Sequence, residues 1–510
     1  MNSVIMSSLN LKKIKYNQLG FFRFKKFKDN YLLTNDIGDY LFLTEKEFKD
    51  FLANKLEKNK EPYLSLKKKN FVKNELNLTE LIEKFRFKNA FLFDGPSLHI
   101  VVVTLRCNHK CIYCHASAQD MDRKDLDMDK ETARQTVDKI FETTSPFIAI
   151  EFQGGEPLVN WTIVKFVIEY AQKKNKILRQ SSRSGSEDPS GSRTTRQEKD
   201  LQIRLVSNFD FMTEEKFKYL LDKKVSLCVS LDGPEKLHNK NRPIRDSKDR
   251  YSNYRNIVKW VRKFNKLYPQ LKKKGYIYRI AGRVTISRFS LPKYKEIVNE
   301  YIKLGFDSFY LHHLNPFGFS KESQKKIGYS AKEYINFYKK ALDYIIKLNL
   351  KGKKFKERMA LTFLTKILTD HDPNHLDYRS PCGAGIGQLA YNYNGDIYTC
   401  DEGRMLSMMN DESFCLGNVK ENTYEEIVSN PIVRTLCTAS CLEGVPECNN
   451  CAYKPYCGVC PIYNYFAQGN IFGQMPNNQR CQINKAILDF LFEKLQNPKI
   501  RAILETWPKK

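Results

Sequence analysis

Residues 97–114 read SLHIVVVTLRCNHKCIYC. The first nine form an apolar run of strand length, and three cysteines follow at CxxxCxxC spacing. A buried strand that runs into a cysteine loop fits a parallel βα sheet, where ligands gather outside the carboxyl ends of the strands. Cys thiolates hold iron–sulfur clusters, and three of them on a four-iron cube leave one iron open. A closed zinc site needs a fourth ligand, which His109 or His115 could supply, so spacing alone leaves zinc open.

The pattern continues outward from this stretch. Further strands are expected at FIAIEFQG (147–154), LQIRLVSN (201–208), VSLCVSLDG (225–233), IYRIAGRVTIS (277–287) and DSFYLHHL (307–314). Amphipathic helices such as MDKETARQTVDKIFET (128–143) and LVNWTIVKFVIEYAQKK (158–174) lie between them. Six βα units predict an α/β fold with a parallel sheet, open or curled into a partial barrel. Residues 181–199 are rich in Ser, Gly and charge and read as a disordered insertion. Cys228 falls within a strand and reads as core packing, and His312 and His313 end the sixth strand.

Before this region, two short apolar runs flank Asn35-Asp36-Ile37-Gly38, and a helix starts near Glu45. That predicts a small α+β domain with a hairpin. After residue 380 the chain turns cysteine-rich. Asn394-Gly395 predicts a tight hairpin that brings Cys382 and Cys400 together. Cys448, Cys451, Cys457 and Cys460 follow as close pairs, then Cys481. Paired CxxC spacing is a strong metal signal, and zinc ribbons share it.

The 510 residues are 41% hydrophobic and contain 14 cysteines. Clustered cysteines in a reducing compartment point to metals rather than disulfides. No secretory signal or membrane-length apolar run is present, so a soluble, cytoplasmic protein is expected. The net charge of +27 could attract nucleic acid, membrane or an acidic peptide. Lys and Asn abound throughout, so composition bias is the leading account of it.

Several motifs in order resemble the radical S-adenosylmethionine (SAM) superfamily: CxxxCxxC, Gly154-Gly155-Glu156-Pro157, and Ser230-Leu231-Asp232-Gly233-Pro234 followed by Arg242. The resemblance implies that Cys107, Cys111 and Cys114 hold a [4Fe–4S] cluster. It implies SAM contacts from Tyr113, Gln153, Gly154, Gly155, Glu156, Asn208, Ser230 and Arg242. It also implies reductive cleavage of SAM to a 5′-deoxyadenosyl radical that abstracts hydrogen from substrate. The later cysteines resemble the SPASM domain of peptide-modifying members. That likeness gives one auxiliary cluster to Cys448, Cys451, Cys457 and Cys481, and a second to Cys382, Cys400 and Cys460.

Two features depart from the pattern: only two residues separate Cys457 and Cys460, and no cysteine lies shortly before Cys382. The second auxiliary cluster therefore either keeps an open iron or takes Cys415, Cys437 or Cys441. Asp401 stands where sulfatase-maturating relatives place a proposed base.

Longer segments, including LLTNDIGDYLFLTEKEF, KNAFLFDGPSLHIVVVTLRCNHKC and CAYKPYCGVCPIYNYFAQGNIFGQMP, look like the His-Xaa-Ser system radical SAM maturase of the B type. That family implies a small co-encoded ribosomal peptide as substrate and a low-potential electron donor, with no membrane or nucleic acid involved. The expected fold is a partial (β/α)6 radical SAM barrel with a small N-terminal α+β domain and a C-terminal SPASM-like iron–sulfur domain. The expected divisions are 1–92, a domain for peptide-leader recognition; 93–350, the barrel; 351–380, a helical linker; and 381–510, the auxiliary cluster domain with its terminal helix. The rivals are a sulfatase-maturating enzyme, an RNA-modifying radical SAM enzyme and a non-catalytic scaffold.

Overall fold

The structure, a computed structural model, describes residues 14–183, 198–245, 253–373 and 375–509. The chain opens with an antiparallel meander, β1 (Arg23–Phe27), β2 (Asn30–Thr34) and β3 (Tyr40–Thr44). The turn predicted at 35–38 joins β2 to β3, where the Asn35 side chain accepts the Asp39 amide at 2.9 Å. Thr44 and Glu47 form a capping box that starts the helix Glu45–Leu52. Tyr31, Leu33 and Leu43 pack on Phe48 and Phe51 to make a small core. The opposite face docks on the C-terminal region, with Tyr40 and Phe42 against Phe492.

Six parallel strands follow in sequence order: β4 (Leu98–Val102), β5 (Phe147–Gln153), β6 (Asp200–Ser207), β7 (Ser226–Ser230), β8 (Ala281–Thr285) and β9 (Ser308–His312). Two strands from later in the chain extend this sheet. β10 (Lys356–Glu357) pairs with β9, and β11 (Gln388–Tyr391) runs parallel beside β4. β12 (Asp396–Tyr398) and β13 (Cys415–Asn418) continue antiparallel from β11, giving ten strands. The Asn394-Gly395 turn joins β11 to β12, with Gly395 at a positive φ of 93° that suits glycine.

Side chains alternate along the strands. Ile148, Ile150, Phe152, Ile203, Leu205, Leu227, Val229, Val284, Phe309 and Leu311 point outward into the main core under the helices. The intervening residues are mostly polar and line a lumen, so the sheet is curled. Cys228 is one of these lumen residues and not part of the core, because it shares the inward phase of Ser226 and Ser230.

The segment 351–380 is more than a linker. It supplies β10 and the helix Arg358–Leu368, whose Met359, Ala360, Phe363 and Leu364 are fully buried. The expected insertion at 181–199 falls mostly on 184–197, outside the described residues. At its edges, the helix Trp161–Arg183 runs on to Arg183, and Lys199 is buried with its Nζ donating to the carbonyls of Thr143 and Ser145. Among the described residues no helix is long and apolar enough to cross a membrane.

Candidate active site

The loop after β4 is tied down on both sides. Gly155 N donates to Thr104 O at 3.0 Å, and Glu156 N donates to Arg106 O at 2.8 Å. Arg106 Nε donates to Asp127 at 2.9 Å, which fixes the outgoing chain. Lys110 N and Ile112 N donate to the carbonyls of Pro243 and Asn241. The GGEP glycines are required by this close approach. A Cβ on Gly155 would sit 2.2 Å from Arg106 O, and one on Gly154 would sit 2.4 Å from Val102 Cγ1. Gly154 also has a φ of +105°.

Cys107, Cys111 and Cys114 line one cavity of ≈ 190 Å³. The same cavity is lined by Tyr113, Gln153, Gly154, Gly155, Glu156, Asn208, Ser230 and Arg242, and by Asp401 from the C-terminal region. The barrel mouth therefore gathers the three thiols, the residues expected to contact SAM, and Asp401. Arg283, Thr285, Asn315, Glu402 and Met405, which lie in no motif quoted above, also line the cavity. Only the inward phase of β8 could have flagged Arg283 and Thr285.

The thiols suit a cluster. The amides of His109 and Ala118 donate to Cys107 Sγ and Cys114 Sγ at 3.4 Å each. Arg242 Nη1 lies 3.9 Å from Cys111 Sγ. Burial pushes the Cys111 thiol up to about 12 and the Cys107 thiol well above its ordinary value. Thiols packed this way would ionise only beside a cationic partner, a place that iron would fill. Among the described residues no group of three or more His, Cys, Asp or Glu side chains stands at single-ion spacing. His109 faces Asp210 at 3.6 Å, and the His115 ring neighbours Tyr113 and His312.

Other predicted residues have definite partners. The Arg242 guanidinium pairs with Asp232 at 3.2 Å and lies over the Tyr113 ring, and Tyr113 OH donates to Asp232. Glu156 is buried, and its carboxylate accepts Ser207 Oγ at 2.8 Å, Asn208 N at 2.8 Å and Leu158 N at 3.1 Å. Burial raises its pKa to about 7 against those hydrogen bonds. The glutamate thus splices β5 to the end of β6. Asp401 accepts Arg404 Nε at 2.9 Å and Nη2 at 2.8 Å on one oxygen. His312 lines the cavity, while His313 packs edge-on against Tyr334; burial holds both neutral, His313 at about 3.

The later cysteines form two groups. Cys448, Cys451, Cys457 and Cys481 surround one cavity with Asn484 and Lys485, and Cys460 also reaches its wall. Cys382, Cys400 and Cys460 are buried in an apolar cluster with Phe317, Leu406, Phe414 and Ile462. Cys400 and Cys460 each cap a helix, accepting the amides of Gly403 and Tyr463 at 3.5 and 3.4 Å. Backbone donors at a helix start favour thiolate, but burial outweighs them, pushing Cys460 up to about 12 and Cys400 well above its ordinary value. Cys415 belongs to a different packing cluster, beside Ile100 and Val102. Cys441 ends the helix Pro431–Ser440, and its neighbour Cys437 packs at the edge of the main core.

Residues 101–267 match the Radical SAM superfamily, and residues 382–461 match the SPASM iron–sulfur cluster-binding domain. This chain is a radical SAM enzyme with a SPASM domain. The two domains imply SAM and iron–sulfur clusters as its cofactors. The enzyme is 23% identical over 412 residues to the cysteine-type anaerobic sulfatase-maturating enzyme of Clostridium perfringens, covering 79% of this chain and 97% of that one. Among solved structures, native anSMEcpe with bound AdoMet has a TM-score of 0.61 at 18% identity, covering 79% of this chain and 100% of that one. Streptococcus suis SuiB bound to precursor peptide SuiA has a TM-score of 0.51 at 12% identity, covering 89% and 97%. At such identities the structural likenesses speak for the fold.

Proposed function

We propose that this radical SAM enzyme modifies a ribosomally made peptide of the His-Xaa-Ser type, using one SAM-binding and two auxiliary [4Fe–4S] clusters. Cys107, Cys111 and Cys114 hold the first cluster. Cys448, Cys451, Cys457 and Cys481 hold the second, and Cys382, Cys400 and Cys460 hold the third. When bound, the clusters and SAM supply one-electron cleavage of the sulfonium and a radical that abstracts hydrogen. A low-potential donor provides the electron, and the reaction is cytoplasmic.

The chain's own groups orient and enclose. Gly154 and Gly155 let backbone approach the cavity without a Cβ in the way, and Gln153, Asn208 and Ser230 turn polar atoms into it. The Asp232 carboxylate fixes the Arg242 guanidinium beside Cys111. Tyr113, clamped between them, closes the wall against water. Asp401 faces the same cavity and takes a proton from substrate, while the Arg404 fork sets the direction of its carboxylate.

The observation that carries this reading is the single cavity shared by the thiol loop, the strand-end motif residues and Asp401. The peptide part draws support from the long segments that resemble the maturase family and from SuiB, a structural neighbour bound to a precursor peptide. The meander β1–β3 leaves β1 at an open edge, where an extended leader could add a strand. A second reading, oxidation of a Cys or Ser in a sulfatase-like protein, is favoured by Asp401 and by the coverage of the Clostridium enzyme.

Anaerobic incubation of reconstituted protein with reductant, SAM and the small peptide encoded beside it separates these readings. Mass spectrometry is expected to find 5′-deoxyadenosine and a mass change on the peptide. 5′-Deoxyadenosine without any change on that peptide, but with conversion of a sulfatase-derived peptide, selects the second reading.

A further inference from the structure

The barrel lumen continues below the thiol loop as a second cavity of ≈ 500 Å³. Gln153, Val206, Arg283, Asp401 and Glu402 border both spaces, so the two are continuous. Four arginines reach this lumen: Arg204, Arg279, Arg283 and Arg358. Its acids are Glu151, Asp307, Asp401 and Glu402.

Three of these four acids already pair with a cation. Arg204 lies 3.7 Å from Glu151, and Arg279 lies 3.9 Å from Asp307. Asp401 is held by Arg404, and Glu402 sits in the field of Arg480. Arg283 is left over. Among the described residues its guanidinium makes no hydrogen bond or ion pair, although its charge reaches His115, His312 and Cys228. A guanidinium presents five donors and stays charged, and in a half-enclosed cavity that is unfavourable until an anion arrives.

We propose that Arg283 docks a carboxylate of the substrate, so the peptide carries an Asp or Glu, or its own C-terminus, close to the residue that is modified. This deepens the peptide reading above and rests on it. The position fits. Arg283 pairs in register with Ser230 on one side and Tyr310 on the other, which places an anion at the junction between the thiol cavity and the lower lumen. Arg358 is exposed at the start of the helix Arg358–Leu368 and gives the lumen a second cation without a side-chain partner among the described residues. A planar fork matches a carboxylate bidentately, so the contact would fix the depth and orientation of the chain as well as its charge.

The test uses full-length, anaerobically reconstituted protein with SAM and three matched libraries of random dodecapeptides. One contains Asp and Glu with an amidated C-terminus. One lacks acids but keeps a free C-terminus. One lacks both. Retention of the first or second library over the third by about tenfold or more is expected, and which of the two is retained identifies the source of the carboxylate. Arg283→Gln is expected to erase the preference while keeping wild-type iron content. Should that variant lose iron, Arg283→Lys, which keeps the charge without the fork, is expected to weaken the preference in part. Equal retention of all three libraries overturns the clamp and leaves the peptide reading standing. Retention of none overturns both. Weaker SAM binding by Arg283→Gln with an unchanged peptide preference assigns the guanidinium to the carboxylate of SAM and also overturns the proposal.

Discussion

The thiols at the barrel mouth and the thiols of the C-terminal region reach similar ends by different routes. Cys107, Cys111 and Cys114 sit on one short loop whose shape is set by backbone bonds from its own neighbours in the sheet. Cys382, Cys400 and Cys460 come from a turn and two helix starts and meet inside an apolar cluster. The first arrangement is local and faces an open cavity. The second is assembled by tertiary packing and is shielded from water. A loop can present an exchangeable ligand site, whereas buried thiols suit a group that stays in place.

The largest expected effect tests the first half of that contrast. Replacing Cys107, Cys111 and Cys114 together by Ala removes one cluster's worth of iron and abolishes 5′-deoxyadenosine formation; iron analysis and chromatography of the reaction measure both. Cys460→Ala tests the second half. It lowers iron and stops peptide conversion, while 5′-deoxyadenosine still forms without substrate turnover. A loss of SAM cleavage equal to that of the triple variant would break the comparison.

Gly155→Ala sharpens the local half, because its Cβ meets Arg106 O at 2.2 Å. The strain and the displaced loop cost about 3 kcal/mol and weaken SAM binding, as thermal melting and equilibrium binding report. Glu156 adds a pH dependence. Burial holds its folded pKa at about 7, above the ordinary 4.5. Its stabilising contribution is therefore complete below about pH 4.5 and is lost as pH rises through about 7, on the order of 3 kcal/mol. Glu156→Gln flattens that slope, and melting temperatures across pH 5 to 8 show it. Asp36→Asn gives the smallest effect. Asp36 bonds to Arg23 and Lys454 at the seam between the N-terminal meander and the cysteine segment, but it is 44% exposed. The loss is within about 1 kcal/mol with no change in iron.

Legibility followed the same divide. The six barrel strands were readable because outward apolar residues repeat every second position, and the Asn394-Gly395 hairpin because its turn chemistry is local. β1 is not legible in the sequence, since RFKKF carries too few apolar residues to mark a strand. β10 and β11 were invisible as barrel strands because their partners lie far away in the chain, Gln388 beside Leu98 and Glu357 beside Phe309. In the site, the cysteines and GGEP stood out by spacing. The anchoring role of Glu156 and the spare charge of Arg283 depend on what lies across the sheet, which no single stretch of sequence records.

The pairing of β11 with β4 has a further consequence. Gln388–Tyr391 covers a strand whose backbone would otherwise present free donors and acceptors along its flank. A fragment ending near residue 380 would expose that flank as a template for another chain. Such a fragment is expected to self-associate through Leu98–Val102 instead of persisting as a smaller, independent catalyst.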